Sequence, residues 1–169
     1  MKSERFSITS TKQSRWEERN GITTIPEHKF WVEVSPKAWS VIEEHIGWGT
    51  ETENNQVEQG GILLGHACKD SYKALYWVEV SHAIPAHQAE GSMKHLHFSH
   101  TAWYAMFQEA EVIHPDAQVI GWYHTHPKHL RVYFSETDRA TQKQFFYQPW
   151  HVGLVFNPQQ RVARAFRGK

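Results

Sequence analysis

The stretch Gly121-Trp122-Tyr123-His124-Thr125-His126-Pro127 organises this sequence. Successive side chains of a strand point to opposite faces, so two histidines separated by one residue point the same way if the stretch is extended. Pro127 favours an extended backbone, because proline disfavours the helical region for the residue before it and cannot continue a helix. The pattern therefore predicts a strand whose end presents the imidazoles of His124 and His126 to one metal ion.

A second segment, Ser135-Glu136-Thr137-Asp138, completes the predicted metal site. Ser135 is a typical N-cap, which places Asp138 one helical turn further along the same face. Two histidines and one carboxylate leave the fourth tetrahedral position of zinc to water or substrate, whereas a structural zinc site has four protein ligands. We predict that His124, His126 and Asp138 bind one Zn²⁺ per chain. Taken alone, each residue also fits an ordinary strand end or helix cap, but the combination favours a metal site.

Glu58 lies at the start of an apolar strand, in Val57-Glu58-Gln59-Gly60-Gly61-Ile62-Leu63-Leu64-Gly65. A buried carboxylate costs free energy unless it has a partner or a function. Together, Glu58-x-x-Gly61-Ile-Leu-Leu-Gly65, His124-x-His126-Pro127 and Ser135-x-x-Asp138 resemble the JAMM/MPN+ metalloprotease family over roughly residues 28 to 166. One departure is the gap between His126 and Ser135, which encloses eight residues where the family usually has seven.

The resemblance implies a peptidase that cleaves isopeptide bonds made by ubiquitin and ubiquitin-like proteins. In such a site Glu58 is predicted to take a proton from the attacking water and return it to the departing amine. Ser135 is predicted to donate a hydrogen bond to the oxyanion. The resemblance also implies that a ubiquitin-like protein and its conjugates are the partners, with the tail bound as an added strand. The compact chain resembles the JAMM peptidases of bacterial anti-phage defence operons, where activating and conjugating enzymes belong to the same pathway.

Two other functions fit the same resemblance. The first is a peptidase that acts on small adducts of sulfur-carrier proteins, which substrate assays on isopeptide-linked and cysteine-linked adducts would distinguish. The second is a noncatalytic MPN scaffold, whose members typically lack the metal ligands. The presence of every ligand and of Glu58 argues against the scaffold.

Composition and charge bear on the possible partners of the protein and on its cellular location. Lysine plus arginine and aspartate plus glutamate number 18 each, so no net field favours nucleic acid or a membrane surface. No apolar run is long enough to span a bilayer, and no signal-peptide stretch follows the N-terminus. The single cysteine, Cys68, argues against a disulfide framework and predicts a cytoplasmic location.

Hydrophobic patterning predicts an α+β fold with helices packed on a mostly antiparallel central sheet. The resemblance implies the same fold, as a single MPN/JAB-like domain. Residues 1–27 are predicted to form a loosely ordered arm, and residues 28–169 the metalloprotease domain. The predicted strands are 28–34, 60–67, 73–84, 117–123, 151–156 and 161–166. Helices are predicted after Ser35, after Ser99 and from Ser135 to about Tyr147, with residues 86–98 as a loop.

The segment Lys94-His95-Leu96-His97-Phe98-Ser99-His100 contains a second pair of alternating histidines. No carboxylate follows at a helical interval and no proline fixes the backbone. We therefore interpret this segment as an exposed loop in preference to a second metal site.

Overall fold

The computed structural model describes residues 6–9, 30–70, 75–87, 90–91 and 96–167. This part of the chain contains nine strands and three α-helices, with a 3-10 helix at Asn54–Gln56. In chain order they are β1 (Phe6–Thr9), β2 (Phe30–Val34), α1 (Pro36–Ile46), β3 (Gly60–Asp70), β4 (Leu75–Pro85), β5 (Glu90–Gly91), β6 (Leu96–His97), α2 (His100–Ile113), β7 (Gln118–Thr125), α3 (Glu136–Phe145), β8 (Val152–Asn157) and β9 (Val162–Arg167).

Seven of the described strands form one sheet in the order β1-β2-β4-β3-β7-β8-β9. The pairs β2–β4 and β7–β8 are parallel, and the other neighbouring pairs are antiparallel. Parallel neighbours need a crossover connection, which α3 supplies between β7 and β8. The predicted α+β fold with a mostly antiparallel sheet is confirmed, and the sheet is mixed.

The helices begin where their capping residues predict. Ser35 and Ser99 are the N-caps of α1 and α2, and each hydroxyl accepts a hydrogen bond from the backbone N–H three residues later, at 3.1 Å. Helix α1 ends at Gly47, whose φ of 63° lies in the left-handed region that glycine adopts without strain. Local sequence therefore fixes these boundaries.

Two apolar cores lie on opposite faces of the sheet. On one face α1 contributes Ala38, Trp39, Ile42 and Ile46. On the other, α2 contributes Ala102, Trp103, Met106 and Ala110, and Phe146 after α3 joins them. Phe107 of the same helix packs against this core and is only partly buried.

A β-bulge in β7 decides which face each later residue of that strand occupies. Leu63 pairs with Gly121 but Leu64 pairs with Val119, so Ile120 is the extra residue. Ile120 belongs to the core under α1, whereas Trp122 belongs to the core under α2 and α3. In a regular strand these two residues would share a face. The bulge thus turns Trp122, and His124 after it, toward α3.

The segment 86–98, predicted to be a loop, contains a small two-stranded antiparallel sheet formed by β5 and β6. Two residues per strand are too few to produce a period-two pattern, so this small sheet could not be predicted from hydrophobic alternation. In the predicted arm, β1 pairs with β2, while residues 1–5 and 10–29 lie outside the described residues. The boundary at residue 28 stays a prediction.

Among the described helices, none combines the length and apolarity that a bilayer crossing requires.

Candidate metal centre

The metal-site residues are carried by two elements that a buried hydrogen bond joins. His124 is fully buried near the end of β7, where its ring stacks on Trp122 at 4.5 Å between centroids. Asp138 is buried in the first turn of α3. Trp122 Nε1 donates to Gln142 Oε1 at 2.8 Å, which ties the histidine strand to the helix that carries the carboxylate.

This arrangement brings together the three predicted ligands. One ligand atom from each of His124, His126 and Asp138 lies within 4.8 Å of the others. His124 Nε2 is 3.1 Å from Asp138 Oδ1, and His126 Nε2 is 3.7 Å from Oδ2 of the same carboxylate. Among the described residues, this is the group of histidine, cysteine and acidic side chains that can hold a metal ion.

His126 is oriented by a backbone carbonyl. Its Nδ1–H donates to Arg131 O at 2.7 Å, which directs Nε2 toward the carboxylates of Asp138 and Glu58. Hydrogen bonding through the other ring nitrogen is the usual way in which metal-binding histidines are held. Sequence reasoning missed Arg131, and no pattern could have revealed it because the contact uses a main-chain atom.

His124 provides a test of whether the site fits a metal ion. Neither of its buried ring nitrogens has a hydrogen-bond partner in the described part of the chain. The approach of Nε2 to Asp138 is close enough for an ion pair but lies outside hydrogen-bond geometry. A buried polar atom without a partner costs about 1–3 kcal/mol, and a metal ion would satisfy Nε2. Burial lowers the pKa of His124, so the ring is neutral, as a metal ligand must be.

Asp138 and Ser135 form a capping box at the start of α3. Ser135 Oγ accepts the Asp138 N–H at 3.1 Å, and Asp138 Oδ2 accepts the Ser135 N–H at 2.7 Å. Burial alone would raise the pKa of Asp138, but the close imidazoles of His124 and His126 and the hydrogen bond from Ser135 lower it far below the usual range. The carboxylate is therefore ionised. Because Ser135 uses Oγ as an acceptor here, its hydroxyl proton is available to a ligand.

Glu58 is brought to the site by the pairing of β3 with β7. Gln59 N donates to Thr125 Oγ1 and Thr125 N donates to Gln59 O, both at 2.9 Å, where the β3–β7 ladder ends. Glu58, one residue earlier, is 5% exposed, and its Oε1 lies 3.8 Å from His126 Nε2. A buried carboxylate next to the ligand cluster is in position to exchange a proton with a molecule bound there.

The loop between His126 and Ser135, one residue longer than the family pattern, is held by the β8–β9 turn. Fully buried Asn157 donates from Nδ2 to Lys128 O at 2.8 Å and to Leu130 O at 3.0 Å. Lys128 has a φ of 58°, a left-handed conformation at the point where the loop turns. The ligands on either side of the loop meet despite its extra residue.

Other candidate residues lie apart from the ligand cluster. His129, in the loop after the metal-binding histidines, is exposed. Cys68 is half-buried, and burial raises the pKa of its thiol, as expected of a packed side chain that does not act as a nucleophile. In the histidine-rich segment, His97 lies in β6 and His100 begins α2. His95 lies outside the described residues, so that interpretation stays a prediction.

Comparison with known proteins agrees with this geometry. The family described as JAB1/Mov34/MPN/PAD-1 ubiquitin protease matches residues 30–148, a span that includes Glu58, both histidines, Ser135 and Asp138. No curated protein matches the chain. Because the match covers more than half of the chain, this protein belongs to the JAB1/Mov34/MPN/PAD-1 family.

Proposed function

We propose that this protein is a zinc-dependent peptidase that cleaves after the C-terminal tail of a ubiquitin-like protein, in conjugates, in precursors or in both. The observation that carries the proposal is the buried cluster of His124, His126 and Asp138 with the Glu58 carboxylate beside it. Three protein ligands of this kind are typical of catalytic zinc. Noncatalytic members of the family would not need both a complete ligand set and a buried glutamate.

Each residue of the site has a separate role in the proposed reaction. When bound by His124, His126 and Asp138, zinc would activate water and polarise the scissile carbonyl. Glu58 accepts a proton from the attacking water and delivers it to the departing amine, as a general base and then a general acid. The Ser135 hydroxyl donates a hydrogen bond to the carbonyl oxygen as negative charge develops there.

The proposed substrate class rests mainly on the family to which the chain belongs, and two features around the site support it. The two-stranded sheet of β5 and β6 precedes α2 and has outer edges to which an extended tail can add as a further strand. Backbone approach to a buried site favours small residues at the end of that tail, most of all glycine, which has no side chain to collide. A ubiquitin-like protein, with activating and conjugating enzymes of its pathway, is therefore the proposed set of partners. A cytoplasmic location and a role in anti-phage defence belong to the same proposal.

The test combines metal analysis with a cleavage assay. Purified protein should carry about one zinc per chain, and His124→Ala and Asp138→Ala should each lose it. Glu58→Gln should keep its fold and zinc but cleave a modifier–reporter fusion about 10²- to 10⁴-fold more slowly. Glu44→Gln, on an exposed face of α1, is the matched control and should cleave at the wild-type rate.

Three kinds of result would contradict the proposal. Full zinc content in both ligand variants would place the metal elsewhere, with His95 to His100 the first segment to examine. A zinc-loaded protein that cleaves no modifier fusion would support the scaffold function. Replacing the last tail residue of the fusion with a bulky one should slow cleavage, and equal rates, or efficient digestion of casein, would indicate a broad metallopeptidase.

A further inference from the structure

A groove of about 510 Å³ lies between α3 and the C-terminal end of β9. Its aromatic lining consists of Phe134, Phe146, Phe166 and Tyr147. Phe134 and Phe166 pack edge to face at 4.7 Å between ring centroids, whereas Tyr147 is 68% exposed at the rim. A groove with buried rings below and an exposed ring at its edge is suited to apolar side chains of a bound segment.

The charged residues of the groove are all cationic. Arg139 and Lys143 lie on the same face of α3, one turn apart, and Arg167 lies across the groove on β9. No acidic side chain lines the groove in the described part of the chain. This local excess of positive charge contrasts with the whole chain, in which acidic and basic residues number 18 each.

The sequence extends this asymmetry beyond the groove. After Asp138, the remaining 31 residues contain no aspartate or glutamate. The same segment contains six cationic residues: Arg139, Lys143, Arg161, Arg164, Arg167 and Lys169. Within the groove an occupant meets Arg139, Lys143 and Arg167, so negative charge on that occupant is favoured.

The groove also adjoins the metal centre. Phe134, part of its lining, directly precedes Ser135 and packs edge to face with the His124 ring at 6.3 Å between centroids. The part of α3 from Arg139 to Phe145 is about 9 Å long at 1.5 Å per residue, room for roughly three residues of extended chain. This length suits a short peptide segment, and an anchored segment would lie one aromatic side chain from the metal ligands.

We infer that this groove binds an acidic segment of the protein substrate that also carries aromatic or aliphatic side chains. The inference rests on the proposed function, because it assigns the groove to the same substrate that the metal centre cleaves. The cations attract and orient the segment, while the Phe134 and Phe166 rings receive its apolar side chains. The groove therefore governs substrate affinity and leaves the chemical step to the metal-site residues.

Direct binding tests the groove independently of cleavage. The probe is a fluorescein-labelled peptide that alternates glutamate with leucine and phenylalanine, titrated with full-length protein and followed by anisotropy. Lys143→Glu should weaken binding at least about fivefold, and added salt should weaken binding to the wild type. Tyr147→Ala should also weaken it. Lys37→Glu, a matched reversal at an exposed lysine of α1 on the other face of the sheet, should bind like the wild type.

Three binding results would overturn the inference: no saturable binding to the wild type, equal weakening by Lys37→Glu and Lys143→Glu, or equal affinity for a peptide of glutamate alone. A cleavage assay distinguishes failure of the groove inference from failure of the proposed function. With a complete modifier–protein conjugate, Lys143→Glu should raise KM at unchanged kcat, while cleavage of a reporter fused to the tail alone should not change. Wild-type cleavage with no effect of Lys143→Glu on KM refutes the groove only, whereas no cleavage of either substrate refutes the proposed activity.

Discussion

Acidification from pH 7 to pH 5 is expected to remove about 1.8 kcal/mol of stability through one side chain, His45. His45 Nδ1 lies 2.8 Å from the hydroxyl of Tyr123, which is fully buried behind the metal-binding strand. Burial, with a smaller contribution from the nearby His87, lowers the pKa of His45 from 6.5 to about 4. In the folded protein the neutral imidazole of His45 shares a hydrogen bond with the Tyr123 hydroxyl.

The direction of this pH effect follows from comparing the protonation of His45 in the folded and unfolded protein. The unfolded chain takes up a proton at His45 near pH 6.5, while the folded protein resists it until about pH 4. The contribution of His45 to stability is therefore fully present above pH 6.5 and is lost as the pH drops toward 4. The full difference corresponds to about 3.4 kcal/mol at 1.36 kcal/mol per pH unit, of which about 1.8 kcal/mol falls between pH 7 and pH 5.

The assay compares urea unfolding of the wild type and His45→Gln at pH 7 and pH 5, with chelator present so that metal loss does not contribute. Glutamine does not titrate, and its side-chain oxygen can still accept the Tyr123 hydroxyl. Groups that titrate independently cancel in the difference between the two proteins. The wild type should lose about 1.8 kcal/mol more than the variant, and equal losses within about 0.5 kcal/mol would refute the reasoning.

Three further substitutions test contacts that support the site. In Gly121→Ala the new Cβ would lie 1.9 Å from Val152 O, so we expect a loss of at least about 1–3 kcal/mol in thermal unfolding; an unchanged melting temperature would contradict this. Ser135→Ala removes the N-cap of α3 and should cost about 1 kcal/mol in urea unfolding, with Ser135→Thr retaining most of it; equal losses in the two variants would exclude capping as the cause. Gln142→Leu leaves the buried Trp122 Nε1–H without its acceptor and should cost about 1–3 kcal/mol, measured in the same way; unchanged stability would mean that this N–H finds another acceptor.

The sequence predicted the ligand set because the relevant spacings are local. Two residues along a strand bring His124 and His126 to one side, and three residues along a helix bring Ser135 and Asp138 together. The structure places both pairs as these periods require, and Ser135 and Asp138 cap the helix reciprocally. Zinc binding by the cluster and proton transfer by Glu58 stay predictions, which the assays above test.

Caps and strand patterns are equally local, so most helix and strand positions were predicted. The two-residue strands β5 and β6 were not, because their order comes from pairing across a turn and not from a repeated pattern.

The tertiary structure decided where the predicted residues meet. The bulge at Ile120 turns His124 toward α3, although the strand pattern alone would place it on the face of α1. The register of β3 against β7 brings Glu58 to His126, from a position far away in the sequence. The sequence determined which side chains are available to the site through spacings of two residues along a strand and three along a helix. Only packing between elements determined their common location, because register and bulges depend on residues distant in the chain. The position of the Arg131 carbonyl likewise depends on a loop that distant Asn157 holds.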